Sequence, residues 1–126
     1  MNMENPLEAL GRAAVAASRE MAALSPQEKT AALLLMAAGV RGAAERIIRE
    51  NSLDMEEAGK NGRNAAFLDR LLLTPERVEH MARGMEQVAA LPDPVGECIR
   101  EWTRPNGLHI RQVRVPLGAI GFIYES

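Results

Sequence analysis

The sequence is short of the residues from which cross-linked folds and compact metal sites are built. It contains one cysteine (Cys98), one tryptophan (Trp102), one tyrosine (Tyr124) and two phenylalanines in 126 residues. A single cysteine excludes a disulfide within the chain and any cysteine-based metal cluster. A reducing compartment, by default the cytoplasm, is the expected home. With aromatics at 3%, a core built on large rings is excluded, and the many Ala, Leu and Met residues favour helix–helix packing. Charge of one sign is also missing: 15 Lys and Arg face 17 Asp and Glu. That balance gives no support to a nucleic-acid or anionic-membrane partner. No apolar run approaches the length needed to span a bilayer, and Asn2-Met3-Glu4-Asn5 has no basic signal region. The remaining composition, 47% hydrophobic and 25% charged, is that of a globular chain, one domain or part of a larger one.

Helical patterning fills the chain to about residue 90. Leu7, Leu10, Ala14, Ala17, Met21 and Leu24 recur at gaps of three and four, one stripe of an amphipathic helix. Ser25-Pro26-Gln27-Glu28 reads as a helix start with a capping serine, a proline in first position and a capping-box glutamate. The helix it opens presents Leu33, Met36, Val40, Ala43 and Ile47. Gly39 and Gly42 inside it are compatible with a close crossing, a bend or sequence drift. Asn51-Ser52-Leu53-Asp54 predicts a break or kink, and Asn61-Gly62 a helix stop. Residues 64–72 read as a short amphipathic piece. Thr74-Pro75-Glu76 opens a further helix with stripe Val78, Met81, Met85 and Val88. Pro92, Pro94 and Gly96 end it.

Past Gly96 the period changes. Two strand-like runs, about 98–115, flank Pro105-Asn106-Gly107, and Asn-Gly predicts a hairpin. A two-residue loop places Thr103 opposite Ile110 and Pro105 opposite Leu108. A phase slip in the second run predicts a bulge near Arg111 or Gln112. Two strands alone are marginal in water, so the hairpin is expected to add to a sheet built elsewhere, such as in a second subunit. The final stretch, Arg114-Val-Pro-Leu-Gly-Ala-Ile-Gly-Phe-Ile-Tyr-Glu-Ser126, carries an apolar run about 118–125 that reads as a strand buried on both faces, the kind that opens a parallel α/β sheet. Such a strand needs a crossover and a parallel neighbour, so the chain is expected to be the leading part of a longer protein.

No catalytic set assembles from these residues. Cys98 reads as a small side chain at a strand start, since no neighbour in sequence favours a thiolate. His80 and His109 stand apart from any metal-ligand spacing, and no metal site is expected. Gly118 and Gly121 form a Gly-x-x-Gly that serves a bend more readily than a phosphate. Arg111 and Arg114 read as solvated strand-edge cations and Trp102 as a packing residue. Glu76, Glu79 and Glu86 beside Arg77 and Arg83 read as a solvated, salt-bridged helix face.

Taken in order and spacing, several segments resemble one family. They are Asn51-Ser-Leu-Asp54 with Ala58, Leu68-Asp-Arg-Leu-Leu-Leu-Thr74-Pro-Glu-Arg77, and Leu91-Pro-Asp-Pro-Val-Gly-Glu97. Pro105-Asn-Gly-Leu108 and Arg114-Val-Pro-Leu-Gly-Ala-Ile-Gly-Phe-Ile-Tyr-Glu125 complete the set. The sequence resembles the N-terminal portion of γ-glutamyl phosphate reductases (glutamate-5-semialdehyde dehydrogenases), within the aldehyde dehydrogenase superfamily. The two helix glycines and Ser126, where the family more often has Ala, depart from its pattern.

The resemblance implies an incomplete α/β cofactor-binding domain: N-terminal helices, a β-hairpin and a first strand, with the catalytic domain absent. It implies NADPH as cofactor, γ-glutamyl phosphate as substrate, a role in proline biosynthesis, and a hairpin that serves as an oligomerisation arm. The family's chemistry is attack of a cysteine thiolate on the acyl phosphate, then hydride reduction of the thioester. The nucleophile is expected beyond residue 126, and Cys98 does not match it. Only Ile123, Tyr124, Glu125 and Ser126 reach toward the place where the superfamily's cofactor lies, at the carboxyl end of a strand. The alternatives are another aldehyde dehydrogenase, or a non-catalytic helical module that kept the hairpin for pairing.

Overall fold

The structure, a computed structural model, describes residues 6–123. Five helices precede one hairpin: α1 Pro6–Met21, α2 Pro26–Gly42, α3 Ala44–Lys60, α4 Ala65–Leu71, α5 Pro75–Ala89, then β1 Cys98–Thr103 and β2 His109–Val113. The α/β class expected from the sequence holds. The chain divides into two units, one formed by residues 27–91 and the other by the segments on either side of it.

The helical unit is punctuated by local chemistry. Between α2 and α3 the chain bends at Gly42–Ala43, where Ala43 takes φ −96° and ψ 3°. A side chain built on Gly39 or Gly42 would meet nothing within 4 Å, so no close crossing requires them; Gly42 stands at the bend, whereas Gly39 lies inside α2. At the end of α3, Gly62 N–H donates to Gly59 C=O (3.1 Å) and Arg63 N–H to Ala58 C=O (3.2 Å). Those are the two bonds of a Schellman stop. The Asn64 side chain caps α4 through Phe67 N–H at 2.9 Å. The Thr74 hydroxyl caps α5 through Arg77 N–H at 3.2 Å, with Pro75 following. At the starts of α4 and α5 an orphan donor is thus satisfied from within the segment, whereas α3, with Ala43 at its N-cap, has no side-chain cap.

Helix α3 runs unbroken through Asn51-Ser52-Leu53-Asp54, where a kink is predicted. Asn51 does not compete with its own backbone but turns inward. Its amide nitrogen donates to Leu71 C=O (2.9 Å), and its oxygen accepts from Leu73 N–H (2.7 Å). The residue that reads locally as a breaker is a tertiary clasp between α3 and the α4–α5 connection.

The core is lined by small side chains. Ala37, Ala58, Val78, Ala82 and Ala89 are buried, with Val78 only 1% exposed. On α5 the inward face is therefore Val78, Ala82 and Ala89, while Met81 and Val88 of the expected stripe are substantially exposed. Interaxial distance is set by the side chains at the contact. Alanine at the contact allows close approach, and the larger residues beside it are turned outward.

In the other unit, α1 forms as expected, but Leu7, Leu10 and Met21 on its apolar stripe are exposed. The hairpin is antiparallel, pairing Thr103 with His109, Trp102 with Ile110, Glu101 with Arg111, and Arg100 with Gln112. Its loop has three residues rather than two. Gly107 N–H donates to Arg104 C=O and Arg104 N–H to Leu108 C=O, both at 2.9 Å, with Gly107 at φ 84°. Proline cannot donate to a ladder; here Pro105 occupies the second turn position, which suits its fixed φ. Glycine takes the left-handed position that a three-residue loop needs. The longer loop moves the register by one residue, so the bulge falls between Cys98 and Arg100 on β1 rather than near Arg111 or Gln112 on β2.

Candidate functional site

Four residues are expected near a cofactor. Ile123 lies in irregular chain and is 98% exposed; Tyr124, Glu125 and Ser126 lie outside the described residues. The run leading to them turns at Gly118, φ 85°, a conformation that favours glycine. Over residues 118–123 the expected buried strand does not form: the chain is irregular and exposed. A strand is held by its ladder partners, and among the described residues the only sheet is the two-stranded hairpin.

The described residues do not by themselves make a dinucleotide site. Ile123 offers no polar side chain, and the strand whose carboxyl end would position a ligand is not assembled.

One face of the hairpin carries a polar chain of contacts. Thr103 Oγ1 lies 3.2 Å from His109 Nδ1, and His109 Nε2 lies 3.2 Å from Glu101 Oε1. Glu101 Oε2 also meets Arg111 Nε at 3.4 Å. The Cys98 thiol donates to Arg100 C=O at 3.4 Å and faces Glu101 Oε2 at 3.9 Å. An acceptor carboxylate rather than a cation stands beside this thiol, so the surroundings of an activated nucleophile are not present. Arg114 is paired with Glu97 at 2.8 Å. Arg111 and Arg114, read from the sequence as solvated strand-edge cations, are thus each paired with a carboxylate of the facing segment. On the opposite face Arg100 lies over Trp102, 5.4 Å from the ring centroid.

His80 is exposed on α5. Among the described residues no group of His, Cys, Asp and Glu is placed to hold a metal ion. No described helix is long and apolar enough to cross a membrane.

The most developed electrostatic constellation is one the sequence reading missed. Arg41, at the end of α2, reaches α5 and grips two carboxylates. Nε and Nη2 donate to Glu79 at 2.8 and 2.9 Å, and Nη1 and Nη2 donate to Glu86 at 2.5 and 2.9 Å. Arg83 Nε adds a bond to Glu79 at 3.0 Å. The reading of Glu79, Glu86 and Arg83 as one helix's own salt-bridged face omitted the cation that organises them. Arg77 instead turns to Asp69 and the Leu72 carbonyl.

Hydrogen bonds from Arg41, then Arg83, hold the Glu79 carboxyl down to about 2, and the Arg41 bond holds Glu86 below its ordinary value. A carboxyl depressed in the folded state contributes stability above its ordinary value of 4.5 and loses it as pH falls toward 2. Acid titration followed by circular dichroism is expected to show this unit weakening between about pH 4.5 and 2. In Arg41→Met the acid slope in that window is expected to flatten markedly. An unchanged slope would mean that the pairs are fully screened by solvent.

Against known proteins, no family model matches the chain. Several curated relatives bear the name gamma-glutamyl phosphate reductase. That of Rhodospirillum rubrum is 52% identical over 117 residues, covering 93% of this chain and 27% of the relative. That of Rhodopseudomonas palustris is 50% identical over 117 residues, with the same shares. That of Caulobacter sp. strain K31 is 44% identical over 126 residues, covering all of this chain and 30% of the relative. A crystal structure of gamma-glutamyl phosphate reductase from Thermotoga maritima matches with a TM-score of 0.77 at 34% identity, over 82% of this chain and 25% of that one. This chain therefore spans less than a third of the length of these relatives. Sequence and fold agree: the chain is homologous to the gamma-glutamyl phosphate reductases and corresponds to an N-terminal part of them.

Proposed function

We propose that this chain is the N-terminal part of the cofactor-binding domain of an NADPH-dependent γ-glutamyl phosphate reductase, which forms glutamate 5-semialdehyde in proline biosynthesis. The observation that carries the reading is identity of 44–52% over 93–100% of the chain to reductases, together with the same fold in a solved reductase. The bound nicotinamide would supply hydride. The contribution of this chain is architectural. The helical unit is a preformed support, and the run 118–125 becomes a strand of the cofactor domain's sheet when the rest of the domain is present. Ile123, Tyr124, Glu125 and Ser126 would then approach the cofactor at the strand's carboxyl end, Ile123 through its backbone. The exposed hairpin is an edge suited to pairing with another subunit, and the assembly would work in the cytoplasm.

The 126 residues alone are expected to show no reductase activity, since no nucleophile with an activating neighbour is found among the described residues. The test is a chimera in which this chain replaces the matched segment of the Rhodospirillum rubrum reductase. The assay follows the reverse reaction, in which glutamate semialdehyde and phosphate give γ-glutamyl phosphate as NADP+ is reduced to NADPH. Activity in the chimera and none in the isolated chain is the expected pair. A folded chimera without activity, or turnover by the isolated chain, would overturn the reading.

A further inference from the structure

We propose that the groove between α3 and the α4–α5 connection binds an amino acid in its zwitterionic form, one with an apolar side chain. The site lies wholly within the helical unit and is independent of the proposed function. A cavity of about 550 Å³, open to solvent, is lined by Arg46, Ile47, Glu50, Asn51, Asp54 and Leu73. That volume lies in the range of small-molecule sites. The groove is preformed. One wall is α3, which runs without a break from Ala44 to Lys60. The other is Leu73, whose N–H is held by Asn51 Oδ1 at 2.7 Å. Ile47 and Leu73 are half-buried and supply the apolar part, while Arg46, Glu50 and Asp54 are exposed.

The three charges follow one another at spacings of four along α3, one cation and then two carboxylates. Residues four apart are neighbours on a helix, with Cβ atoms about 5–6 Å apart. Yet among the described residues none of the three enters an ion pair. The pairs that do close at this spacing, Glu8–Arg12, Glu56–Lys60 and Glu79–Arg83, all place the acid first. Arg46–Glu50 has the base first, the less favourable order, so its charges are left to a ligand. A monoanion at Arg46 would face two carboxylates, and a monocation beside those would face Arg46. A zwitterion answers both. Its carboxylate takes the guanidinium fork, and its ammonium, with three donors, bonds Glu50 and Asp54 together. Its side chain then covers Ile47 and Leu73 and removes apolar area from water.

The test titrates the chain with L-leucine, L-leucinamide and 4-methylpentanoate while its backbone amides are followed by NMR. L-Leucine is expected to bind at millimolar concentration and to shift the amides of residues 46–54 and 73. L-Leucinamide lacks the carboxylate and 4-methylpentanoate lacks the ammonium. Each is expected to bind at least about fivefold more weakly. The exchange Arg46→Glu/Glu50→Arg keeps the composition but puts the acid first, so that the pair closes on itself. It is expected to abolish L-leucine binding while the helical circular dichroism is unchanged. Arg46→Gln, a change at an exposed position, is expected to weaken L-leucine by about fivefold, and it decides the matter if the exchange alters the fold. No shift of these amides with L-leucine, equal binding of the three probes, or undiminished binding by the folded variants overturns the proposal. An active chimera in that case leaves the proposed function standing while the amino-acid site falls.

Discussion

Asn51→Ala is expected to lower the stability of the helical unit by about 2–4 kcal/mol, because it strands two backbone groups at once. The side chain is 6% exposed and spends both of its polar ends on the α4–α5 connection, at Leu71 C=O and Leu73 N–H. A partly buried backbone group left without a partner costs about 1–3 kcal/mol, whereas the bond itself contributes only about 1. Urea titration of the chain, followed by helical circular dichroism, measures the loss. Asn51→Asp separates the two bonds. A carboxylate still accepts from Leu73 N–H but repels the Leu71 carbonyl, so it is expected to retain part of the stability at neutral pH. Relative to the parent chain, it should recover on acidification, when the protonated carboxyl can donate. A loss below 0.5 kcal/mol, on the order of an ordinary surface substitution, would show that water replaces both bonds.

Ala82→Leu is the second large effect, an expected loss of about 1–3 kcal/mol through overpacking. Ala82 is fully buried on the inward face of α5, between Val78 and Ala89. The added atoms must force the helices apart, because protein interiors are close-packed. Since Arg41 bridges α2 to α5 at hydrogen-bond distance, the same separation should weaken the Arg41 grip. Ala82→Leu and Arg41→Met are therefore expected to combine with less than additive cost. Ala82→Gly in the same assay is expected to cost about 1 kcal/mol through helix propensity. A neutral Ala82→Leu would mean that α5 does not sit as closely as its buried alanine implies.

What the sequence revealed tracks where the determining chemistry lies. Thr74-Pro75-Glu76, Asn61-Gly62 and Pro105-Asn106-Gly107 each fix their structure within a few residues, and each forms a helix start, a helix stop or a turn. The hairpin register slipped by one because two loop lengths share the Asn-Gly signal, and the choice depends on where proline can sit. Asn51 and Arg41 were not legible, since their partners lie 20 to 45 residues away. The inward face of α5 was misread because hydrophobicity points to Met81 and Val88, while packing selects Ala82 and Ala89. The run 118–125 shows the opposite case. Its sequence describes a partnered strand, and among the described residues no strand forms over 118–123 and the only sheet is the hairpin. Of the four candidate cofactor residues, the described one, Ile123, is accordingly exposed.

Amide hydrogen exchange on the isolated chain and on the covalent chimera tests most directly whether residues 27–91 form a self-sufficient support while residues 115–123 depend on the rest of a reductase. In the isolated chain, the expected result is slow exchange in α3 and α5 and exchange of residues 117–123 at nearly the rate of an unstructured peptide. In the chimera, residues 118–123 are expected to become protected by several orders of magnitude, while the protection of α3 and α5 changes little. Rapid exchange of residues 118–123 in a folded, active chimera would contradict the role given to this run, as would strong protection of the same residues in the isolated monomer.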